Sequence, residues 1–270
     1  SNFNASPVWR IECGNKWCNT QAGGKPVVGA ACLDHKSWNY FQLPAQEFRL
    51  MIFGTLAAGS YLFSLMSSVQ NNVGYILNEV KDLYSVVAQN SDTLYPTVNI
   101  AKAAIVWSDT NADFYGASAI KESDFVNEKL DLNAGEIQSE FDGFYDLMFR
   151  KHILSDVIDE ISLTDGSLSK YNTLVLPNIA CMSENEVASI RKFVYDGGTL
   201  ISSFETSLYN EYGEKKDDFM LKDVFGVSIT DKHKYGPTDF NYVIPNTPND
   251  FLPEYLSGYK MIPRTKYWLN

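Results

Sequence analysis

Apolar residues in this chain fall into short unbroken runs, and stretches with helical spacing separate them. "GKPVVGAACL" (Gly24 to Leu33) is a run of small and branched apolar residues opened by Gly-Gly-Lys-Pro, the pattern of a buried strand. A polar and aromatic loop, "DHKSWNYFQL", follows. Pro44 then suits the first turn of a helix, and Glu47 there favours the helix dipole. The helix "AQEFRLMIFGTLAAG" is predicted to end at Gly59, and "SYLFSLMSS" reads as the next strand. "VGYILNEVKDLYSVVAQNSDTLY" places Ile76, Leu77, Val80, Leu83, Tyr84 and Val87 at helical spacing. The order strand, loop, helix, strand, loop, helix predicts a parallel sheet with helical crossovers.

A second alternation begins at "NIAKAAIVWSD" (Asn99 to Asp109), a strand with an all-apolar centre. After a polar excursion the pattern predicts a helix over roughly Ala134 to Lys151, then strands at "DVIDEISL" (Asp156 to Leu163) and "YNTLVLPN". Ser183 is placed to cap "ENEVASIRKFVYDGG", with Glu186 at the position of a capping box and Gly197 at the helix end. "GTLISSFE" is the next predicted strand. The order of elements is doubly wound and flavodoxin-like. Beyond Val227 the chain becomes rich in Pro, Asn and Tyr and the pattern fades. Three regions are therefore expected: 1–98, 99–230 and 231–270. An open sheet of two parallel strands leaves apolar faces bare, so the first region is expected to need a partner surface or further chain.

Composition narrows this picture. The chain has 270 residues, 45% hydrophobic and 20% charged, room for one large or two ordinary globular domains. The net charge of −11 argues against nucleic acid or an anionic membrane as main partner, since both call for a basic surface. The run from Leu50 to Met66 approaches membrane-spanning length, but Gly59 and Ser60 break it into two buried elements. No leader-like pattern opens the chain, and free thiols in a reducing cytoplasm are the simplest reading of its cysteines. The four cysteines (Cys13, Cys18, Cys32 and Cys181) include no C-x-x-C pair, although a Cys13–Cys18 disulfide stays open. None of the three histidines (His35, His152 and His233) sits at metal-ligand spacing from a cysteine, so no metal and no cofactor are expected.

Two stretches resemble known proteins. "GKPVVGAACLDHKSWNYFQLPAQEFRLMIFGTLAAGSYLFS" resembles the last two βα units of the barrel in predicted glycoside hydrolases similar to family-42 β-galactosidases. "YNTLVLPNIACMSENEVASIRKFVYDGGTLISSFETSLYNEYGEKKDDFMLKDVFGV" resembles the domain that follows that barrel, the β-galactosidase trimerisation domain, with a class I glutamine-amidotransferase-like fold. The resemblance implies the C-terminal part of a (β/α)8 barrel, then a doubly wound amidotransferase-like domain, then the start of a C-terminal extension. It implies a carbohydrate ligand, a homo-oligomer, and weak or no hydrolysis by this chain alone, because most of the barrel is missing. The other reading is a non-catalytic oligomerisation or ligand-binding module.

Candidate chemistry follows from both lines. Cys181 stands after a strand in the manner of an amidotransferase nucleophile, but its flanks lack the small residues a nucleophile elbow needs, and no His-x-Glu follows. It is expected to pack as a small hydrophobe, without glutaminase activity. Glycosidases use two carboxylates, and barrel enzymes carry them at the carboxyl ends of strands. The family's nucleophilic Glu falls at Ala31 or Cys32 here, so Asp34 is the nearest carboxylate, with a turn residue as the alternative. Glu12, in "WRIECGNKW", is a second candidate if it closes an earlier strand; an ordinary surface position is the alternative. His35, Lys36 and Trp38 share the loop after the strand, and His35 and Trp38 suit sugar hydroxyls and a sugar face. Glu205 and Tyr209 follow "TLISSFE", in the crevice where open α/β sheets bind ligands, with turn structure or helix capping as alternative roles. "NEYGEKKDDF" reads as a solvated hairpin or loop.

Overall fold

The structure, a computed structural model, describes residues 7–32, 43–65, 74–95, 97–116, 137–229, 240–243 and 260–263. Its first sheet pairs β1 (Val28–Cys32) with β2 (Tyr61–Leu65) in parallel, Val28 opposite Tyr61. Helix α2 (Ala45–Ala57) is the crossover, and it ends as expected before Gly59, whose φ of 78° is costly for any residue with a Cβ. The apolar run from Leu50 to Met66 is thus divided between a helix and a strand, and no helix among the described residues is long and apolar enough to cross a membrane. Phe48, Met51 and Ile52 of α2 form a buried cluster with Ala31, Leu43 and Leu83. Leu83 comes from α3 (Gly74–Gln89), and Tyr84 on the same helix meets Ser64 of β2 at 3.0 Å. The long predicted helix is interrupted at Asn90, after which α4 (Ser91–Leu94) adds a single turn.

Upstream, the chain folds as α1 (Arg10–Gln21). That corrects the expectation that Glu12 closes a strand: "RIECGNKWCNTQ" contains no β-branched pair and packs as a helix.

The second sheet has the order β4-β3-β5-β6, all parallel, from β3 (Ala103–Val106), β4 (Ser155–Ile158), β5 (Thr173–Leu176) and β6 (Thr199–Ser202). Every strand is shorter than the segment predicted for it. "DVIDEISL" shows why. Asp159 accepts a hydrogen bond from Ser162 N at 2.9 Å and caps α6 (Glu160–Thr164), so the predicted strand ends at Ile158. Helix α7 (Glu184–Tyr195) carries the predicted capping box, with Ser183 and Glu186 satisfying each other's backbone groups.

Helices cover both faces of this sheet. On one, Val187, Ile190 and Phe193 of α7 and Leu163 of α6 pack on Ala104, Val106, Leu174 and Leu176. On the other, Phe141, Tyr145 and Met148 of α5 (Ile137–Arg150) pack on Ile105, Val157 and Val175, together with Trp9 and Cys13. Helix α1 is therefore part of the second core. Arg10 pairs with Asp142 through two hydrogen bonds of 2.9 and 2.5 Å, and Trp9 Nε1 donates to Asp146 at 2.8 Å. Asn19 of the same helix reaches back to Ala58 O and Ser60 Oγ, both at 2.8 Å. One helix thus ties the first sheet's crossover to the second sheet. A short helix, α8 (Lys222–Phe225), and an antiparallel pair, β7 (Phe240–Val243) with β8 (Lys260–Pro263), complete the described elements.

Candidate functional site

The carboxyl ends of β3, β5 and β6 meet in a crevice filled with polar side chains. After β3 the chain turns through Ser108 into a six-residue π-helix, Asn111–Gly116. π-Helices are rare and recur at functional sites. Asn111, 1% exposed, begins it and holds the neighbouring loop. Its Nδ2 donates to Asn178 O at 2.9 Å, and its Oδ1 accepts from Ala180 N and Cys181 N at 2.9 and 3.1 Å. Ser108 Oγ accepts from Asn111 N at 2.9 Å and donates to Glu160 at 2.9 Å.

Glu205 is fully buried. Its carboxylate accepts a short hydrogen bond from Tyr115 OH, and its backbone N–H donates to Asn178 Oδ1 at 3.3 Å. Burial, and then the Glu205 charge, push the Tyr115 hydroxyl far above its ordinary range. The Tyr209 ring lies edge-on to Tyr115, centroids 5.3 Å apart. Burial, then the Glu205 charge, push the Tyr209 hydroxyl up to about 12. Glu140 of α5 faces the same corner. Ser203 Oγ donates to Glu140 and accepts from Asn178 N at 3.1 Å. Burial, with a contribution from Glu205, raises the Glu140 carboxyl above its usual value.

The backbone here is strained as well as buried. Asn178, Phe204 and Ser207 have φ of 47°, 51° and 64°. Asn tolerates this region through its short amide, but a Phe does not do so without surrounding support. The lattice of Asn111, Asn178 and Glu205 is that support.

The structure places the sequence-predicted residues as follows. Glu205 and Tyr209 come together through Tyr115, Glu205 in a turn and Tyr209 in bridges to Cys181 and Lys215, neither as a helix cap. Cys181 is 2% exposed, and burial, then the Glu186 charge, push its thiol up to about 11. Cys13 and Cys18 are free thiols, which closes the question of a disulfide between them. Glu12 lies on α1, in a cavity it shares with Leu154 and Ser155 at the start of β4 and not at the carboxyl end of a strand, and its carboxylate pairs with Lys16 at 2.6 Å. Asp34, His35, Lys36 and Trp38 lie outside the described residues. The residues after Tyr209 turn back as expected, with Tyr209 bridging Lys215. Sequence reasoning missed Tyr115, Asn111, Asn178 and Glu140. The one available signal was Asn178, a lone amide inside "LVLPNIAC".

This arrangement positions loops. It holds the carboxyl groups of Glu205, Glu140 and Glu160, the phenols of Tyr115 and Tyr209, and the backbone-clamping amides and hydroxyls of Asn111, Asn178, Ser108 and Ser203, with no histidine among the described residues of the crevice. The fold defines the class: an α/β protein with parallel sheets whose crevice is occupied by its own side chains. The chain belongs to the β-galactosidase trimerisation domain family, whose model matches residues 101–247. Among curated relatives it is similar to β-galactosidase BgaA of Planococcus sp. (strain 'SOS Orange'), with 27% identity over 157 residues, covering 57% of this chain and 21% of that protein. It is similar also to β-galactosidase BgaB of Geobacillus sp. (strain Y412MC61), with 23% identity over 245 residues, covering 83% of this chain and 34% of that protein. The chain therefore spans between a fifth and about a third of these two relatives. The crystal structure of β-galactosidase from Bacillus circulans sp. alkalophilus shares its fold, with a TM-score of 0.76 and 16% identity over 98% of this chain and 40% of that one.

Proposed function

We propose that this chain is a region of a β-galactosidase-like glycoside hydrolase in which residues 1–98 supply βα units of a (β/α)8 barrel and residues 99–230 form an amidotransferase-like module that assembles a homo-oligomer. Residues 231–270 then begin a further C-terminal piece. The observation that carries the reading is the trimerisation-domain match over residues 101–247, directly after two parallel strands joined by a helical crossover. The strand order β4-β3-β5-β6, with helices on both faces, supports a doubly wound sheet of flavodoxin type.

In this reading the amidotransferase-like module has kept the scaffold and lost the chemistry. A nucleophile elbow puts a reactive side chain on a strained, exposed turn after a strand. Here two residues after β6 are strained: Phe204, which offers no nucleophile, and Ser207, which is fully buried with its Oγ accepting from Leu221 N at 3.2 Å, while Cys181 is buried with its thiol held protonated. Sugar chemistry then belongs to the barrel end of the protein. Asp34 and Glu12 are the candidate carboxylates and His35 and Trp38 the candidate sugar contacts; the ion pair of Glu12 with Lys16 favours Asp34. Glu205, fully buried, and Tyr209 serve the crevice wall, and in an assembled oligomer the loop that carries them faces a barrel mouth.

The test is turnover of aryl β-galactosides by the 270-residue chain and by the same residues within a full-length homologous context. The reading expects weak or no turnover by the chain alone and loss of activity on Asp34→Asn in the longer protein. Full activity of Asp34→Asn there removes Asp34 from the site. Glutaminase activity sensitive to thiol alkylation overturns the reading of Cys181.

A further inference from the structure

We infer that the outer edge of β6, with the apolar groove that wraps it, is the surface on which a second copy of this chain docks. The inference rests on the oligomer reading above and adds where the contact is made.

The second sheet treats its two outer strands differently. β4 is covered: all four of its residues are buried, α1 lies against it, and Thr20 Oγ1 donates to Val157 O at 2.6 Å. β6 is bare: Thr199, Ile201 and Ser202 are exposed, Ile201 by 41%, and no described strand pairs beyond it. Proteins blunt such an edge with charge, proline, a bulge or a covering element. "TLIS" carries neither charge nor proline.

Beside the edge lies an open cavity of about 550 Å³, lined by Val194, Leu200, Phe219, Val224, Phe225 and Val227 among others. Ile201 lines it too. Leu200 and Ile201 are neighbours on a strand and point to opposite faces. Both reach the same groove, so it wraps around the edge instead of lying on one face. An unpaired edge with apolar pockets for alternate side chains is the receiving half of strand addition.

Symmetry selects the kind of contact. An edge pairing with its own copy gives a two-fold dimer, whereas a closed three-fold ring needs unlike surfaces to meet. A concave apolar groove is suited to a different element of the neighbour, the kind of unlike contact a three-fold ring is built from. The Arg191 and Asp223 charges near the groove satisfy each other at 2.6 Å, which leaves docking to apolar and backbone contacts and predicts little salt dependence.

Sedimentation velocity on the 270-residue chain tests this, with hydrogen exchange at β6 as a second readout. The expected result is a wild-type trimer, at least a tenfold rise in the dissociation constant for Ile201→Asp, and no change for Ile161→Asp, a 70% exposed position on α6 outside the groove. The β6 amides should gain protection as protein concentration rises. Both sites are exposed, so neither variant should disturb the fold. A wild-type trimer unaffected by Ile201→Asp, or β6 protection independent of concentration, overturns the surface assignment and leaves the oligomer reading standing. A wild type that stays monomeric overturns both.

Discussion

At the scale of single residues, the crevice makes the sharpest claims. Tyr115 is the visible hydroxyl donor to a fully buried carboxylate. Tyr115→Phe should therefore destabilise the chain by about 1.5–3 kcal/mol, the worth of a hydrogen bond to a charged group, measured by denaturant unfolding. Glu140 gives a pH prediction. Its folded pKa is raised above the ordinary value, so between that value and the folded one the native state holds a proton that the unfolded chain has released. Its contribution is thus present below the ordinary carboxylate range and lost as pH rises through the folded value. Glu140→Gln should remove this loss, so the stability of the variant relative to wild type should increase with pH above about 4.5, the ordinary value. A difference that is flat with pH would count against this. At Cys181, burial and a thiol pushed up to about 11 predict slow alkylation in the native state. Peptide mass mapping should find exposed Cys18 modified first and Cys181 only after unfolding. Much of this scale was closed to sequence reading. Glu205 was visible as a residue after a strand, but its burial depends on Tyr115, ninety residues away in the chain.

At the scale of elements, local signals read well where the cause is local. Ser183 with Glu186, and Gly59 at φ 78°, set helix ends through interactions within a few residues. The errors have equally local causes that compete with periodicity. "DVIDEISL" has the composition of a strand, yet Asp159 caps a helix in its middle. "WRIECGNKW" looked like a strand end and is a helix, because its apolar Trp9 and Cys13 face a distant core. Close approaches between elements were also invisible. A Cβ on Gly29 would stand 2.4 Å from Thr55 Cγ2, where β1 passes α2. Gly29→Ala should cost about 1–3 kcal/mol as an overpacking change, read as a lower denaturation midpoint with unchanged slope.

At the scale of the whole molecule, α1 joins the two sheets, and its anchor is Trp9, 2% exposed. Trp9→Ala should cost about 3–5 kcal/mol and separate one calorimetric transition into two, since it strips the contact that couples the cores. A single transition at unchanged temperature would show that the sheets do not depend on this helix. The sequence by itself determined the order of parallel βα units, the helix caps and breakers, and the family resemblance. Each of these rests on spacing and residue type over short stretches. Only the tertiary structure decided that α1 covers β4, that no strand among the described residues pairs with the outer edge of β6, and that Glu205 lies sealed beneath Tyr115. Those outcomes depend on which apolar faces meet across a hundred residues or more, and no local pattern encodes that choice.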